Sequence, residues 1–184
     1  MSNPLVSVII PAYNAQLYLA EALQSILKQT YEDFEVIILD DASTDGTLVI
    51  ANHFRLEDSR IQVISNETNL HIAGNRNKGI ALAKGKYIIW QDADDISLPS
   101  RIEKLVNLME SDELLGIAGS NLQVFDETGD KEVRTYATGD ADLRKNLFKY
   151  SPVAQPAAIV RKECFDVVGG YNESYLSAED LDMA

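Results

Sequence analysis

Three carboxylates fall within four residues at Asp92-Ala93-Asp94-Asp95, directly after the run Tyr87-Ile88-Ile89-Trp90-Gln91. A short apolar run of that kind reads as a buried strand, so the acids sit at its carboxyl end. Open α/β sheets bind ligands in the crevice outside that edge. Three clustered acids repel one another and repel any phosphate, and a divalent cation resolves both conflicts. Oxygen donors suit Mg²⁺ or Mn²⁺, and Mg²⁺ is usually held by one or two carboxylates together with substrate phosphates. The acids therefore read as a bridge to a diphosphate. The competing reading is a solvated acidic turn ahead of Pro99. Successive strand residues point to opposite sides, so Asp94 and Asp95 share a target only if the strand has ended before them.

The elements that must position these acids alternate along the first hundred residues. Leu5 to Ile10 is a β-branched run stopped by Pro11, and Asn14 is placed to cap a helix through about Lys28. Leu19, Leu23, Ile26 and Leu27 would form its buried face. Phe34 to Leu39 is a second strand ended by Asp40-Asp41. Ser43, Thr44 and Asp45 offer caps for a helix to about Phe54. Ile61 to Ile64 is a third strand. Asn69 to Asn75 reads as a polar loop, followed by a helix through Ala83 with Gly85 as its stop. Tyr87 to Gln91 is the fourth strand. Such alternation predicts an α/β fold with a mostly parallel sheet and helices on both faces. Each polar cluster follows a strand: Pro11-Ala12-Tyr13-Asn14, Asp40-Asp41, Ser65-Asn66 and the acidic run.

Beyond Asp95 the signals change. Ser100-Arg101-Ile102-Glu103 has the form of a capping box for a helix to about Ser111. Leu115 to Val124 reads as one strand, turning at Asp126–Asp130 toward a partner at Val133 to Tyr136. A helix at Asp140 to Tyr150, a strand at Ala157 to Val160, a short helix at Lys162 to Val168 and a Gly169-Gly170 break complete the chain. No linker, repeat or low-complexity segment divides it.

Composition narrows the function. The chain has 184 residues, 16 Lys+Arg against 29 Asp+Glu and a net charge of −13. That balance argues against nucleic acid as a partner and against docking on anionic lipid through this segment. The single cysteine, Cys164, cannot form an internal disulfide and fits a reducing compartment; it reads as a small core residue. Neither a signal peptide nor a membrane span is visible.

With these motifs assembled, the chain resembles family 2 glycosyltransferases of the GT-A fold, a Rossmann-like sandwich. The resemblance rests on Val8-Ile9-Ile10-Pro11-Ala12-Tyr13-Asn14, Asp40 through Thr47, Asn75-Arg76-Asn77-Lys78-Gly79, Asp92 through Asp95, and Gly169-Gly170-Tyr171-Asn172 followed by Glu179-Asp180. It implies one domain over 1–184, with a nucleotide-sugar-binding part at about 1–98 and an acceptor-side part at about 99–184. The implied reaction is metal-dependent and inverting. It moves a sugar from a nucleotide-diphosphate donor, a UDP-sugar, to a hydroxyl of a saccharide or lipid-linked saccharide in glycan or polysaccharide synthesis.

The resemblance also assigns roles. Asp41 accepts a hydrogen bond from the base ring N–H, while Pro11, Ala12, Tyr13 and Asn14 line the nucleoside; Tyr13 could instead pack on the first helix. Asp40 caps or braces the next turn. Arg76 contacts the pyrophosphate or braces the acids, with a surface arginine as the alternative. Asp95 binds the metal directly, Asp94 contacts the ribose or the metal, and Asp92 is the most structural of the three. Asp180 is the general base with Glu179 beside it, unless the two acids only open a helix. His71 could touch donor phosphate or be structural, His53 belongs to the surface and Trp90 to the core. The chain stops at Met183-Ala184, where the family continues, so the expectation is a C-terminally incomplete fragment that binds donor better than it turns over. Its expected place is the cytoplasm, with any attachment to the inner membrane face residing in absent parts.

Three other classes compete. A nucleotidyltransferase would open with a Gly-rich basic loop where Pro11-Ala12-Tyr13-Asn14 stands. A dinucleotide oxidoreductase would show Gly-x-Gly-x-x-Gly after the first strand. A degenerate nucleotide-sugar-binding module is separated from an enzyme only by measurable donor hydrolysis.

Overall fold

The computed structural model describes residues 4–146 and 153–175. Glu179, Asp180 and the end of the helix expected to reach Tyr150 lie outside the described residues. Four strands, β1 (Val6–Ala12), β2 (Phe34–Asp40), β3 (Ile61–Ser65) and β4 (Tyr87–Trp90), pair in parallel in the order β3-β2-β1-β4. Helices α1 (Leu19–Leu27), α2 (Thr47–Glu57) and α3 (His71–Leu82) connect them. The strands are apolar at consecutive positions because both faces are covered. Val8, Ile10, Val36, Ile38 and Ile89 face α1, α2 and α4 (Arg101–Ser111). Ile9, Ile37, Leu39, Ile88 and Trp90 face the opposite layer, which contains α3. Gly79 lets α3 settle on the sheet: a Cβ there would lie 2.6 Å from Ile9 Cγ2 and 2.9 Å from Leu39 Cδ1.

Several local expectations fail because side chains find distant partners. Asn14 does not cap α1, which starts five residues later; it takes a left-handed φ of 50° and accepts from the Thr44 backbone N–H at 2.9 Å. The box at Ser100 does not form, since Glu103 accepts from Thr30 Oγ1 at 2.8 Å instead. Among the residues offered as caps for α2, Asp45 does hold the Thr47 N–H, at 2.9 Å, across the Gly46 N-cap. The loop expected at Asn69 to Asn75 is already helical from His71, whose N–H donates to Asn69 Oδ1 at 2.8 Å. Gly85 is not the stop of α3, which hands over at Ala83; a Cβ at Gly85 would lie 2.6 Å from the Ser7 backbone nitrogen, so it lets the turn pass against β1.

The second half completes the sheet with one reversed strand and an edge strand that again runs with the first four. β8 (Ala158–Arg161) pairs antiparallel with both β4 and the edge strand β5 (Ile117–Gly119). The single strand expected at Leu115 to Val124 is therefore broken. The Ser120 N–H bonds to Ala157 O at 3.3 Å, and the chain leaves the sheet for a separate hairpin of β6 (Leu122–Asp126) and β7 (Gly129–Arg134). Short helices α5 (Asp140–Asn146) and α6 (Glu163–Val168) and a 3-10 turn at Gln155–Ala157 complete the described elements. None of the described helices is long and apolar enough to cross a membrane.

Candidate active site

The carboxyl ends of β1 and β2 are laced together by side chains. Asn14 Oδ1 accepts from Thr44, while the Asn14 N–H donates to Ser43 Oγ at 3.0 Å. The Ala15 N–H donates to Thr47 Oγ1 at 2.7 Å, and Gly46 N–H to Gln16 Oε1 at 2.7 Å. Left-handed φ values in non-glycine residues occur, among the described residues, only at Asn14, Ala42 and His71. They lie beyond β1, β2 and β3 respectively. Such conformations cost of order 1–2 kcal/mol each and cluster where a site demands a set shape. The loop leaves Tyr13, the first residue beyond β1, 54% exposed.

Below that rim the paired acids of β2 diverge. Asp40 is buried and accepts from Ser65 Oγ at 3.0 Å, so it braces β3 rather than the turn that follows β2; its Oδ1 has no hydrogen-bond partner. Asp41 Oδ1 accepts from Asn66 Nδ2 at 2.7 Å and from the Leu70 N–H at 2.8 Å. Asn66 also donates to Asn75 Oδ1 at 3.0 Å and accepts from Lys78 Nζ at 2.6 Å. Asn75 in turn donates to Leu39 O at 3.1 Å. Asp41 is thus held by one oxygen in a buried network, and Oδ2 takes no part in those bonds. Asn66 was visible only as a polar residue after a strand; its bond to Asp41 spans 25 residues.

At β4 the strand ends at Trp90, and the acids occupy a turn closed by the Asp95 N–H on Asp92 O at 3.2 Å. The turn places Asp94 outermost, with Asp92 and Asp95 half-buried. Its support escapes sequence motifs. Gln91 donates through Nε2 to Asp92 O at 3.0 Å and Asp95 O at 2.7 Å. Gln91 Oε1 accepts from Ser97 Oγ at 2.6 Å and Arg101 Nη1 at 3.0 Å. Arg101 also donates to the Trp90 and Pro156 carbonyls, tying the turn to the second half of the chain. Burial pulls its guanidinium down to about 10, against the opposing pull of Asp95 and Asp92.

The same crowding acts on the acids. Burial, then the charges of Asp92 and Asp94, push Asp95 up to about 6, with Arg101 opposing. Burial also raises Asp92, opposed by Arg76. Arg76 is only 4% exposed, which overturns the surface-arginine reading. Its Nη2 lies 3.5 Å from Asp92 Oδ1, and its guanidinium stands 5.5 Å from the Trp90 ring and 5.7 Å from that of Tyr171. Trp90 is wholly buried, as expected of a core residue. His53 is on the surface, 3.3 Å from Glu57. His71 is exposed at the start of α3. Cys164 is partly covered and its thiol is pushed up by burial, so it is a poor nucleophile.

Among the described residues, no three His, Cys, Asp or Glu side chains are grouped so as to hold a metal ion by themselves. A site with two close acids and an open side fits Mg²⁺ or Mn²⁺ only where a ligand's phosphates complete the shell. Asp95, raised to about 6 first by burial and then by Asp92 and Asp94, is an oxygen donor of the type such a cation takes.

Comparison with known proteins agrees with this architecture. An uncharacterised glycosyltransferase of Haemophilus influenzae is 37% identical over 187 residues, covering 96% of this chain and 58% of its own. The Escherichia coli UDP-Glc:alpha-D-GlcNAc-diphosphoundecaprenol beta-1,3-glucosyltransferase WfgD is 38% identical over 109 residues, 59% of this chain and 42% of that protein. In fold, the chain is similar to the mannosyltransferase PcManGT from Pyrobaculum calidifontis, solved with GDP-Man and Mn²⁺. The TM-score is 0.77 at 22% identity, with all of this chain and 51% of that one covered. The chain spans 58% to 66% of the length of the curated relatives it matches along nearly its whole extent. The model of glycosyl transferase family 2 matches residues 7–169. That match takes in every described helix and all but the first residue of the strands; the chain belongs to glycosyl transferase family 2 and has the GT-A fold.

Proposed function

We propose that this chain forms the donor-binding and catalytic part of a metal-dependent, inverting enzyme that transfers a sugar from a UDP-sugar to a saccharide or lipid-linked saccharide hydroxyl. The observation that carries the reading is the acidic turn at the end of β4. Its Asp95 is raised to about 6 by burial and by Asp92 and Asp94, and it lies at the same carboxyl edge of the sheet as the Asp41 network, one strand away across β1. WfgD, named for a UDP-glucose donor and a lipid-linked acceptor, supports the substrate classes, and the Mn²⁺ of PcManGT supports the cation.

In this reading Asp41 Oδ2 receives the base N–H, because Oδ1 is committed to Asn66 and Leu70. Pro11, Ala12, Tyr13 and Asn14 line the nucleoside. Asp95, with Asp94 beside it, holds a Mg²⁺ or Mn²⁺ that, when bound, neutralises charge on the leaving diphosphate. Arg76 keeps Asp92 from adding an uncompensated charge and so acts as the brace. Asp180, with Glu179 as neighbour, takes the acceptor hydroxyl proton as the new bond to the anomeric carbon forms and the bond to the diphosphate breaks. A UDP-sugar donor and the reducing-compartment cysteine usage support a reaction in the cytoplasm, at the inner membrane face when the acceptor is lipid-linked. The whole protein's acceptor lies in the same proposal.

The test is nucleotide release from UDP-glucose, UDP-GlcNAc and GDP-mannose with Mn²⁺. Release of UDP from a UDP-sugar, lost in Asp180→Asn, is expected. Binding with no release from any donor would make the chain a nucleotide-sugar-binding module.

A further inference from the structure

The side chain of Asn77 grips a loop almost a hundred residues away. Its Nδ2 donates to Tyr171 O at 2.8 Å, and its Oδ1 accepts from the Tyr171 N–H at 2.8 Å. The remaining Nδ2 hydrogen goes to Glu173 Oε1 at 2.9 Å. One amide thus satisfies both backbone groups of a residue that no sheet or helix serves. Gly169 and Gly170 precede it with φ of 87° and 82°. A Cβ at Gly170 would lie 2.7 Å from Asn77 Oδ1, so the close approach needs a glycine there.

The grip seats the Tyr171 side chain. Tyr171 is 4% exposed, and its ring stands edge-on to Trp90 at 5.7 Å, with Phe165 at 6.3 Å and the Arg76 guanidinium at 5.7 Å. Arg76 is the neighbour of Asn77 on α3 and pairs with Asp92. One short stretch of α3 therefore touches the acidic turn with one residue and the Gly169–Tyr175 segment with the next.

We propose that Asn77 is a positioning residue that clamps the Gly169–Tyr175 segment, which in sequence directly precedes the stretch carrying Glu179 and Asp180, onto the donor half for catalysis. The catalytic consequence rests on the function proposed above; the clamp itself does not. Asp at this position keeps an acceptor for the Tyr171 N–H, loses the donor to Tyr171 O and sets a second charge against Glu173. Asn77→Asp therefore breaks the grip with little change in volume. Gly170→Ala attacks the same contact from the loop side.

The chain contains a single tryptophan, so its emission reports Tyr171 docking directly. Hydrogen exchange of Gly169–Tyr175, Trp90 emission with acrylamide quenching, the UDP·Mn²⁺ Kd and the kcat of donor hydrolysis are measured on wild type and both variants. The expected result is exchange faster by about tenfold or more in that segment alone, with more quenchable Trp90. The Kd should stay within about threefold while kcat falls by at least about tenfold. Unchanged exchange and emission in both variants would overturn the clamp. Faster exchange with unchanged kcat, or a Kd weakened in proportion to kcat, would overturn the positioning role. Wild type that binds no nucleotide would remove the functional reading, and the exchange data would still decide the clamp.

Discussion

Asp95 should make the metal-free protein less stable than it could be, and Asp95→Asn isolates that cost. An ordinary aspartate carboxyl has a value of 3.8; burial and the neighbouring Asp92 and Asp94 raise Asp95 to about 6. A difference of roughly two units at about 1.4 kcal/mol each bounds the penalty at about 3 kcal/mol. The side chain is partly exposed, so screening reduces that to about 1–1.5 kcal/mol. The sign follows from linkage. A folded carboxyl raised above its unfolded value binds more protons in the fold, so wild-type stability rises as pH falls from above 6 toward 4. Asparagine keeps the shape and never carries the charge.

Urea denaturation in EDTA should therefore show Asp95→Asn more stable by about 1–1.5 kcal/mol at pH 8, with the gap closing toward pH 4. Saturation with Mn²⁺ and UDP should invert the ranking, because ligand at a hundred times Kd adds about 2.7 kcal/mol to a protein that binds it. A variant no more stable than wild type at pH 8, or an advantage that persists unchanged into acid, would refute the claim that burial and the neighbouring acids raise Asp95.

Three further substitutions probe the frame. Gly79→Ala drives a methyl into Ile9 and Leu39 and should lower stability by about 1–3 kcal/mol, read as a fall in the urea midpoint at constant m. Ala42→Gly relieves a φ of 60° and, after the backbone entropy of glycine, should raise stability by about 0.5 kcal/mol, seen as a small rise in Tm. Asn66→Ala leaves Asp41, Asn75 and Lys78 short of a partner. It should weaken UDP about tenfold in calorimetry while leaving the cation requirement intact.

The parallel core was legible in the sequence because its strands, such as Val8-Ile9-Ile10 and Val36-Ile37-Ile38-Leu39, are buried on both faces and so read as unbroken apolar runs. The clusters at their carboxyl ends were legible for the same reason, since the runs stop where they begin. Capping residues misled where a side chain had a distant option: Asn14 chose Thr44 and Glu103 chose Thr30. The strand expected through Val124 failed because the edge strand β5 has only Ala118 to bury, and the chain then leaves for the hairpin. Gln91 and Arg101 were missed as the supports of the acidic turn because neither belongs to a local pattern. Their work shows only once Ser97, Trp90 and Pro156 are brought around them. Arg76 could be placed on α3 from sequence, but only the packing of Trp90 and Tyr171 distinguishes a buried brace from a surface charge.

The central claim is that the acidic turn joins this chain to a nucleotide diphosphate through a cation. Calorimetric titration of UDP into wild type and Asp95→Ala, with Mn²⁺, with Mg²⁺ and with EDTA, tests it most directly. The account predicts UDP binding that requires the cation and disappears in Asp95→Ala. Equal UDP affinity in EDTA, or in the variant, would contradict it.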